Sequence, residues 1–273
     1  MASRVAVVTG SNKGVGFAIV RSLCTKFDGT VILTARNEEL GKKAVDDLKG
    51  EGLSPSFHQL DITSDESIQR FKEYLQKTFG GLDLLVNNAG IAYKQASTAP
   101  QAEQAEVTIS TNFTGTLNVS NALFPLLRPH ARVVNIASGA GHLKVLPSEE
   151  LRKKFSFPML TEQELVDLVL DEFVRDVKAG NHVAKGWPNT MYGTSKVAVV
   201  ALTKVQARKM QQDPREDILI NCCCPGWVRT DMAGQKALLS IDEGAVTPVL
   251  VSLLPEGCGY QGEFFREEKV VEW

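Results

Sequence analysis

The sequence predicts an α/β fold, a doubly wound parallel sheet with helices on both faces, and three observations carry that prediction. From Arg4 to Asn135 short apolar runs alternate with segments of helical period, the pattern of βα units building a parallel sheet. The runs are nearly continuous, as in Val5-Ala-Val-Val8 and Leu84-Leu-Val86, which suits strands covered on both faces. The chain has 273 residues, 43% hydrophobic and 23% charged, enough for one large core and marginal for two, so a single domain over 1–273 is expected.

In chain order, strands are expected at Val5–Thr9, Val31–Ala35, Phe57–Leu60, Leu84–Asn87, Arg132–Ala137 and Ile218–Cys222. Helices between them begin near Gly14, Glu38, Ser64 and Ala102, the third after Asp61-Ile-Thr-Ser64, which supplies a turn and a cap. From about Ala140 to Asn189 the rhythm breaks into a long polar insertion. There Thr161-Glu-Gln-Glu164 is a capping box, and Leu165, Leu168, Val169 and Phe173 recur at helical spacing. The insertion is too short for a core of its own and is expected to pack beside the active site.

A formal net charge of −2 with interspersed signs offers no reason to expect a nucleic acid or an anionic membrane as partner. No apolar run approaches the ~18 residues of a membrane span. Met1-Ala2-Ser3-Arg4 runs straight into an apolar strand, so no signal peptide is expected. The five cysteines, Cys24, Cys222, Cys223, Cys224 and Cys258, lack paired spacing, and no zinc clip is present, so the expected setting is reducing and cytoplasmic, with no metal. On a strand, Cys222 and Cys224 share one face and Cys223 the other. Buried inert thiols are the default reading of that triplet; the alternative has Cys224 touching a thiol-bearing substrate.

Two motifs carry chemistry. Thr9-Gly-Ser-Asn-Lys-Gly-Val-Gly16 follows the first strand and opens a helix. Its glycines, Gly10, Gly14 and Gly16, let the backbone turn tightly and approach a pyrophosphate, whose charge the helix N-terminus stabilises. The second motif is Tyr192-Gly-Thr-Ser-Lys196, a phenol and an ammonium on one helix face. A phenol titrates at about 10, and a fixed cation favours its ionised form, so Tyr192 reads as an acid/base. At the end of the second strand, where an acidic residue commonly holds the adenosine ribose of NAD, Arg36 stands instead. Together with Lys13 in the glycine loop it favours the 2′-phosphate of NADPH.

With Asn87-Asn-Ala-Gly90 after the fourth strand and Ser138 after the fifth, the chain resembles the short-chain dehydrogenase/reductase superfamily over nearly its whole length. Leu53-Ser-Pro-Ser-Phe-His-Gln-Leu-Asp61, Cys223-Cys-Pro-Gly-Trp-Val-Arg-Thr-Asp-Met-Ala233 and the long insertion look like the animal NADPH-dependent, carbonyl-reducing members of that family. The resemblance implies a Rossmann-type sheet, NADPH as cofactor, and quinones, aromatic aldehydes and ketones as substrates, prostaglandin- or steroid-like ketones among them.

It also implies roles for matching residues. Tyr192 donates the proton to the carbonyl oxygen, and Lys196 bonds the nicotinamide ribose and lowers the Tyr192 pKa. Ser138 polarises the same oxygen, and Asn112 holds a water that relays protons to Lys196. Gly10, Asn12, Lys13, Gly14, Val15, Gly16 and Arg36 line the phosphate end. Asp61, followed by Ile62, accepts from the adenine amino group, although a helix-cap role is equally open. Asn88, Ala89 and Gly90 pass along the cofactor, and Pro225 and Gly226 turn the chain so that Val228 and Thr230 bond the carboxamide. Trp227, Met232 and Ala233, with Ala140, lie where the family places its substrate, core packing being the alternative for the first three. Gly139-Ala-Gly141 is expected to open the pocket. The rival functions are an alcohol dehydrogenase running oxidatively and a non-catalytic NADP(H)-sensing regulator. Because the insertion feeds into the Tyr192 helix and covers that face, a monomer is expected.

Overall fold

The computed structural model describes residues 3–94 and 96–273. Met1 and Ala2, on which part of the signal-peptide expectation rests, lie outside the described residues. Eight strands among them form one sheet in the order β3-β2-β1-β4-β5-β6-β7-β8: β1 Val5–Val8, β2 Thr30–Ala35, β3 Ser56–Gln59, β4 Leu82–Asn87, β5 Leu127–Ile136, β6 Leu219–Cys224, β7 Phe264–Arg266 and β8 Lys269–Val270. All pairings are parallel except the last, β7 with β8. Strand order reverses between β1 and β4, and in open α/β sheets the ligand crevice lies at the carboxyl ends of the strands beside such a reversal.

The doubly wound expectation holds, with two additions. β7 and β8 escape the sequence pattern because Phe264-Phe-Arg266 is too short to show alternation and follows Gly257, Gly259 and Gly262. The two join through Glu267 and Glu268 at φ 50° and 61°, a left-handed pair that matches a hairpin's twist but is ordinarily given to glycine or asparagine. β6 also runs through Cys224, two residues beyond the expected end.

Helices α1 (Gly14–Lys26), α2 (Glu38–Gly50) and α10 (Ile241–Ser252) cover one face, burying Ile19, Leu23, Val45, Leu48 and Val249 against β1, β2 and β4. The other face carries α3 (Asp65–Phe79), α5 (Thr116–Leu123) and the end of α9 (Met191–Met210), which pack Phe71, Leu75, Val119, Leu123 and Met210 on β1, β4 and β5. Ser64 caps α3 through its side chain.

The insertion folds as α6 (Glu149–Phe155), α7 (Glu162–Val166), a π-helical stretch Asp167–Val174 and α8 (Arg175–Lys178). The capping box at Thr161 is formed, and Leu165, Leu168, Val169 and Phe173 are buried as their spacing predicts. They meet Ala105 and Ile109 of α4 (Gln101–Ile109) and Met191, Ala198 and Leu202 of α9. The insertion therefore covers the outer face of the helix that bears Tyr192.

Candidate active site

At the carboxyl end of β1 the chain turns at Gly10 and Gly14, with φ of 59° and 62°. Both angles lie in the left-handed region, where glycine carries no penalty. The loop is clasped from β4. Asn88 Nδ2 donates to the carbonyls of Thr9 and Gly10 at 2.9 and 3.0 Å, and Thr9 Oγ1 accepts from the backbone N of Asn88 and of Ala89, both at 3.0 Å. A Cβ on Gly16 would stand 2.4 Å from Asn88 Nδ2. Asn88 and Ala89 thus shape the glycine loop, and Thr9, which the sequence reading passed over, is the hinge of that clasp. Its signal was available: a hydroxyl at a strand end directly before the glycine turn. Beneath it, Asn87 Nδ2 donates to Ser120 Oγ at 3.1 Å and Asn135 Oδ1 at 2.8 Å, tying β4 to β5 and α5.

Helix α1 begins without a side-chain cap and without an acidic residue in its first turn, so its first N–H groups keep their hydrogen-bonding capacity and positive potential. Asn12 and Val15 flank this end half-buried, and a Cβ on Gly14 would meet Thr230 Cγ2 at 3.3 Å. Glycine loop and β6 loop therefore face each other across a narrow groove, a cradle that fits the pyrophosphate of a dinucleotide.

The reacting groups meet further along the carboxyl edge. Ser138, the residue before the 3-10 turn Gly139–Gly141, accepts from Ala140 N at 3.2 Å. Its hydroxyl is near enough to the Tyr192 phenol to pull that group's titration down. Thr190 caps α9 by accepting from Gly193 N, which sets the first turn of the Tyr192 helix. Lys196 Nζ, one turn later, donates to Ile136 O at 2.8 Å and lies 5.7 Å from the centroid of the Tyr192 ring.

The expected lowering of the Tyr192 pKa by Lys196 is not what the structure gives. Burial pushes the phenol up, the nearby Ser138 hydroxyl offsets part of that, and the neighbouring Cys224 adds to the rise. Lys196 is itself 5% exposed and pushed down to about 8 by burial, against the opposing pull of Cys224 and Cys223. Lys196 is not among the groups that move the phenol's titration, and desolvation is the larger effect.

This has a consequence for stability. The folded pKa of Lys196 lies below the ordinary 10.5, so the native state binds fewer protons than the unfolded one between those values. The penalty is complete below about pH 8 and fades as pH rises through the window. Lys196→Met is therefore expected to stabilise the cofactor-free protein at neutral pH by about 2 kcal/mol, with the gain lost by about pH 10. Denaturant melts at the two pH values check this.

Asn112 lies in a π-helical turn, Ser110–Gly115, between α4 and α5, a distortion that often marks functional positions. Its Oδ1 accepts from Ile91 N at 2.7 Å, and Nδ2 donates to Ile91 O at 2.9 Å and Ser195 Oγ at 3.0 Å. The amide thus grips the segment after Gly90, and only a second lone pair on Oδ1 is left for the water expected there. A Cβ on Gly90 would lie 3.1 Å from Asn112 Oδ1 and 3.6 Å from Lys196 Nζ.

The phosphate end differs in one respect. Arg36 is exposed at the end of β2, and its guanidinium makes no bond among the described residues. Lys13, however, pairs with Asp231 at 2.7 Å across the groove mouth. Both are exposed, and such pairs contribute little, so the ammonium is exchangeable for a better anion. Asp61 does not cap α3. It closes its own turn, Oδ1 accepting from Thr63 N at 2.9 Å and Thr63 Oγ1 at 2.7 Å. Ile62 is buried beside it, where a Cβ on Gly115 would touch it.

Beyond β6, Pro225 and Gly226 turn the chain, and Val228 pairs with Leu239 in a single bridge, its side chain buried. Thr230 Oγ1 accepts from Ala233 N. Trp227 and Met232 are 53% and 42% exposed, so the core-packing alternative for them fails. Gly141 does not open a pocket: a Cβ there would stand 2.8 Å from Lys196 O, so the glycine permits close approach of turn and helix. Cys224 Sγ accepts from Gly139 N at 3.1 Å and Gly226 N at 3.3 Å, and it shares a cluster with Cys222 while Cys223 lies in the opposite core, as the strand alternation requires.

The family model described as short chain dehydrogenase matches residues 4–148 and 178–238. The chain belongs to the short chain dehydrogenase family. The unmatched stretch between those segments falls within the insertion. "Carbonyl reductase [NADPH] 1" of Rattus norvegicus is 52% identical over 273 residues, 98% of either chain, and the protein of that name from Homo sapiens is 51% identical over the same share. Among solved structures, salutaridine reductase from Papaver somniferum superimposes with a TM-score of 0.87 at 32% identity, covering 97% of this chain and 99% of its own. As a short chain dehydrogenase, the chain is an oxidoreductase.

Proposed function

We propose that this protein reduces carbonyl compounds to alcohols with NADPH. The relatives named for that activity match the whole chain at about half identity. The observation that carries the reading is the junction of Ser138, Tyr192 and Lys196 at the carboxyl edge of the sheet, at the far end of a groove that begins with the glycine loop. When bound, NADPH supplies the hydride. Gly10, Gly14 and Gly16 would admit its pyrophosphate to the N-terminus of α1, Arg36 and Lys13 would meet its 2′-phosphate, and Thr230 would flank it from the opposite side of the groove. Asp61 keeps Oδ2 free toward the adenine end.

Ser138 donates to the carbonyl oxygen and stabilises the charge that develops there. Tyr192, held protonated by burial, gives its proton to that oxygen. Lys196 holds the ribose and draws a replacement proton past Asn112. Trp227, Met232 and Ala233 with Ala140 form an apolar, polarizable wall that suits quinones and aromatic aldehydes or ketones. The test is NADPH consumption against a panel of such compounds, with NADH and Tyr192→Phe as controls. Turnover that requires NADPH and the phenol supports the reading; saturable NADPH binding without turnover sinks it.

The same reading includes a monomer in the cytoplasm. All five cysteines are free, and no helix among the described residues is long and apolar enough to cross a membrane. The insertion buries the outer faces of α4 and α9. Sedimentation at micromolar concentration is expected to give one protomer; a stable dimer contradicts it.

A further inference from the structure

We infer that Trp273 is a positioning residue for Ser138. The inference rests on the proposed roles of Ser138 and Tyr192. The turn that follows Ser138 is fixed from within by Gly141 N donating to Ser138 O at 2.8 Å and Ala140 N to Ser138 Oγ. From outside, Trp273 Nε1 donates to Gly141 O at 2.6 Å. On its inner side Gly141 lies flush on the main chain of Lys196, where even a methyl group would clash. The Gly141 peptide is thus pinned between the lysine helix and the indole. A turn with glycine at both ends has the most conformational freedom to lose, so an outside anchor matters here.

The anchor is itself held. Val271 N donates to Phe264 O at 2.8 Å, tying the segment to β7. The half-buried indole packs on the cluster of Val199, Val200, Cys222, Cys224 and Phe264. Lys204 Nζ lies 5.8 Å from its ring centroid, within cation–π range, and donates to Gly262 O at 3.2 Å. The indole N–H is therefore preorganised, and through Gly141 it sets where the Ser138 hydroxyl meets the Tyr192 phenol.

Trp273→Phe keeps an aromatic ring on the cluster but removes the donor together with the five-membered half of the indole. The expected result is a roughly fivefold to tenfold loss in kcat/KM for the carbonyl substrate, with KM for NADPH unchanged. Because Ser138 pulls the Tyr192 pKa down, displacing it also moves the alkaline fall in kcat to higher pH. Lys204→Met, which loosens the indole without touching the turn, shifts both quantities the same way by a smaller factor and decides the matter should Trp273→Phe not fold. An unchanged kcat and pH profile with a lowered melting temperature overturns the inference, leaving a simple brace; so does a parallel rise in KM for NADPH. Ser138→Ala and Tyr192→Phe run alongside. If these retain activity the proposed function itself fails, whatever Trp273 does.

Discussion

Tyr192→Phe lowers kcat for carbonyl reduction by about 10²- to 10⁴-fold, the range a positioned general acid contributes, and leaves NADPH affinity within twofold or so of the parent. The two effects separate because the phenyl ring still fills its place on α9 while the only lost group is the hydroxyl beside Ser138. In the parent the rate is expected to hold through neutral pH and fall toward alkaline pH, since burial raises the pKa of the phenol. The acid form is the one reduction needs. Single-turnover mixing with NADPH, followed by nicotinamide absorbance, measures the step directly; a variant that keeps a tenth or more of the parent rate means that another donor protonates the product.

Arg36→Glu costs roughly a hundredfold in kcat/KM for NADPH, about the worth of one charge-assisted bond to a phosphate plus the repulsion that replaces it. NADH turnover rises or stays level. The reason is positional: Arg36 stands exposed at the end of β2, its guanidinium unpaired among the described residues, whereas Lys13 is drawn aside by Asp231. Arg36 is therefore expected to carry more of the discrimination than Lys13. Steady-state comparison of the two cofactors tests this, and an unchanged preference would transfer the role to Lys13.

Sequence alone was sufficient for the first six strands, the glycine loop, the capping box at Thr161 and the Tyr192/Lys196 spacing, because each rests on contacts within a few residues or on a period of apolar burial. The short strands β7 and β8 carry no such period, and they owe their place to the edge of β6. The direction of the Tyr192 shift was equally hidden. A cation four residues away on a helix is a local fact, but its charge depends on how much water the folded site admits, and here burial takes Lys196 down to about 8.

Other pairings are long-range in the same sense. Thr9 with Asn88, Asn112 with Ile91 and Ser195, Lys13 with Asp231, and Trp273 with Gly141 join residues between 21 and 218 positions apart. Nothing in the intervening sequence records such a contact. The sequence determined which chemical groups the protein owns and which elements carry them. The tertiary structure alone decided which of those groups are dry, which are already spoken for and which remain free to react, since desolvation and hydrogen-bond partners are properties of the packed chain.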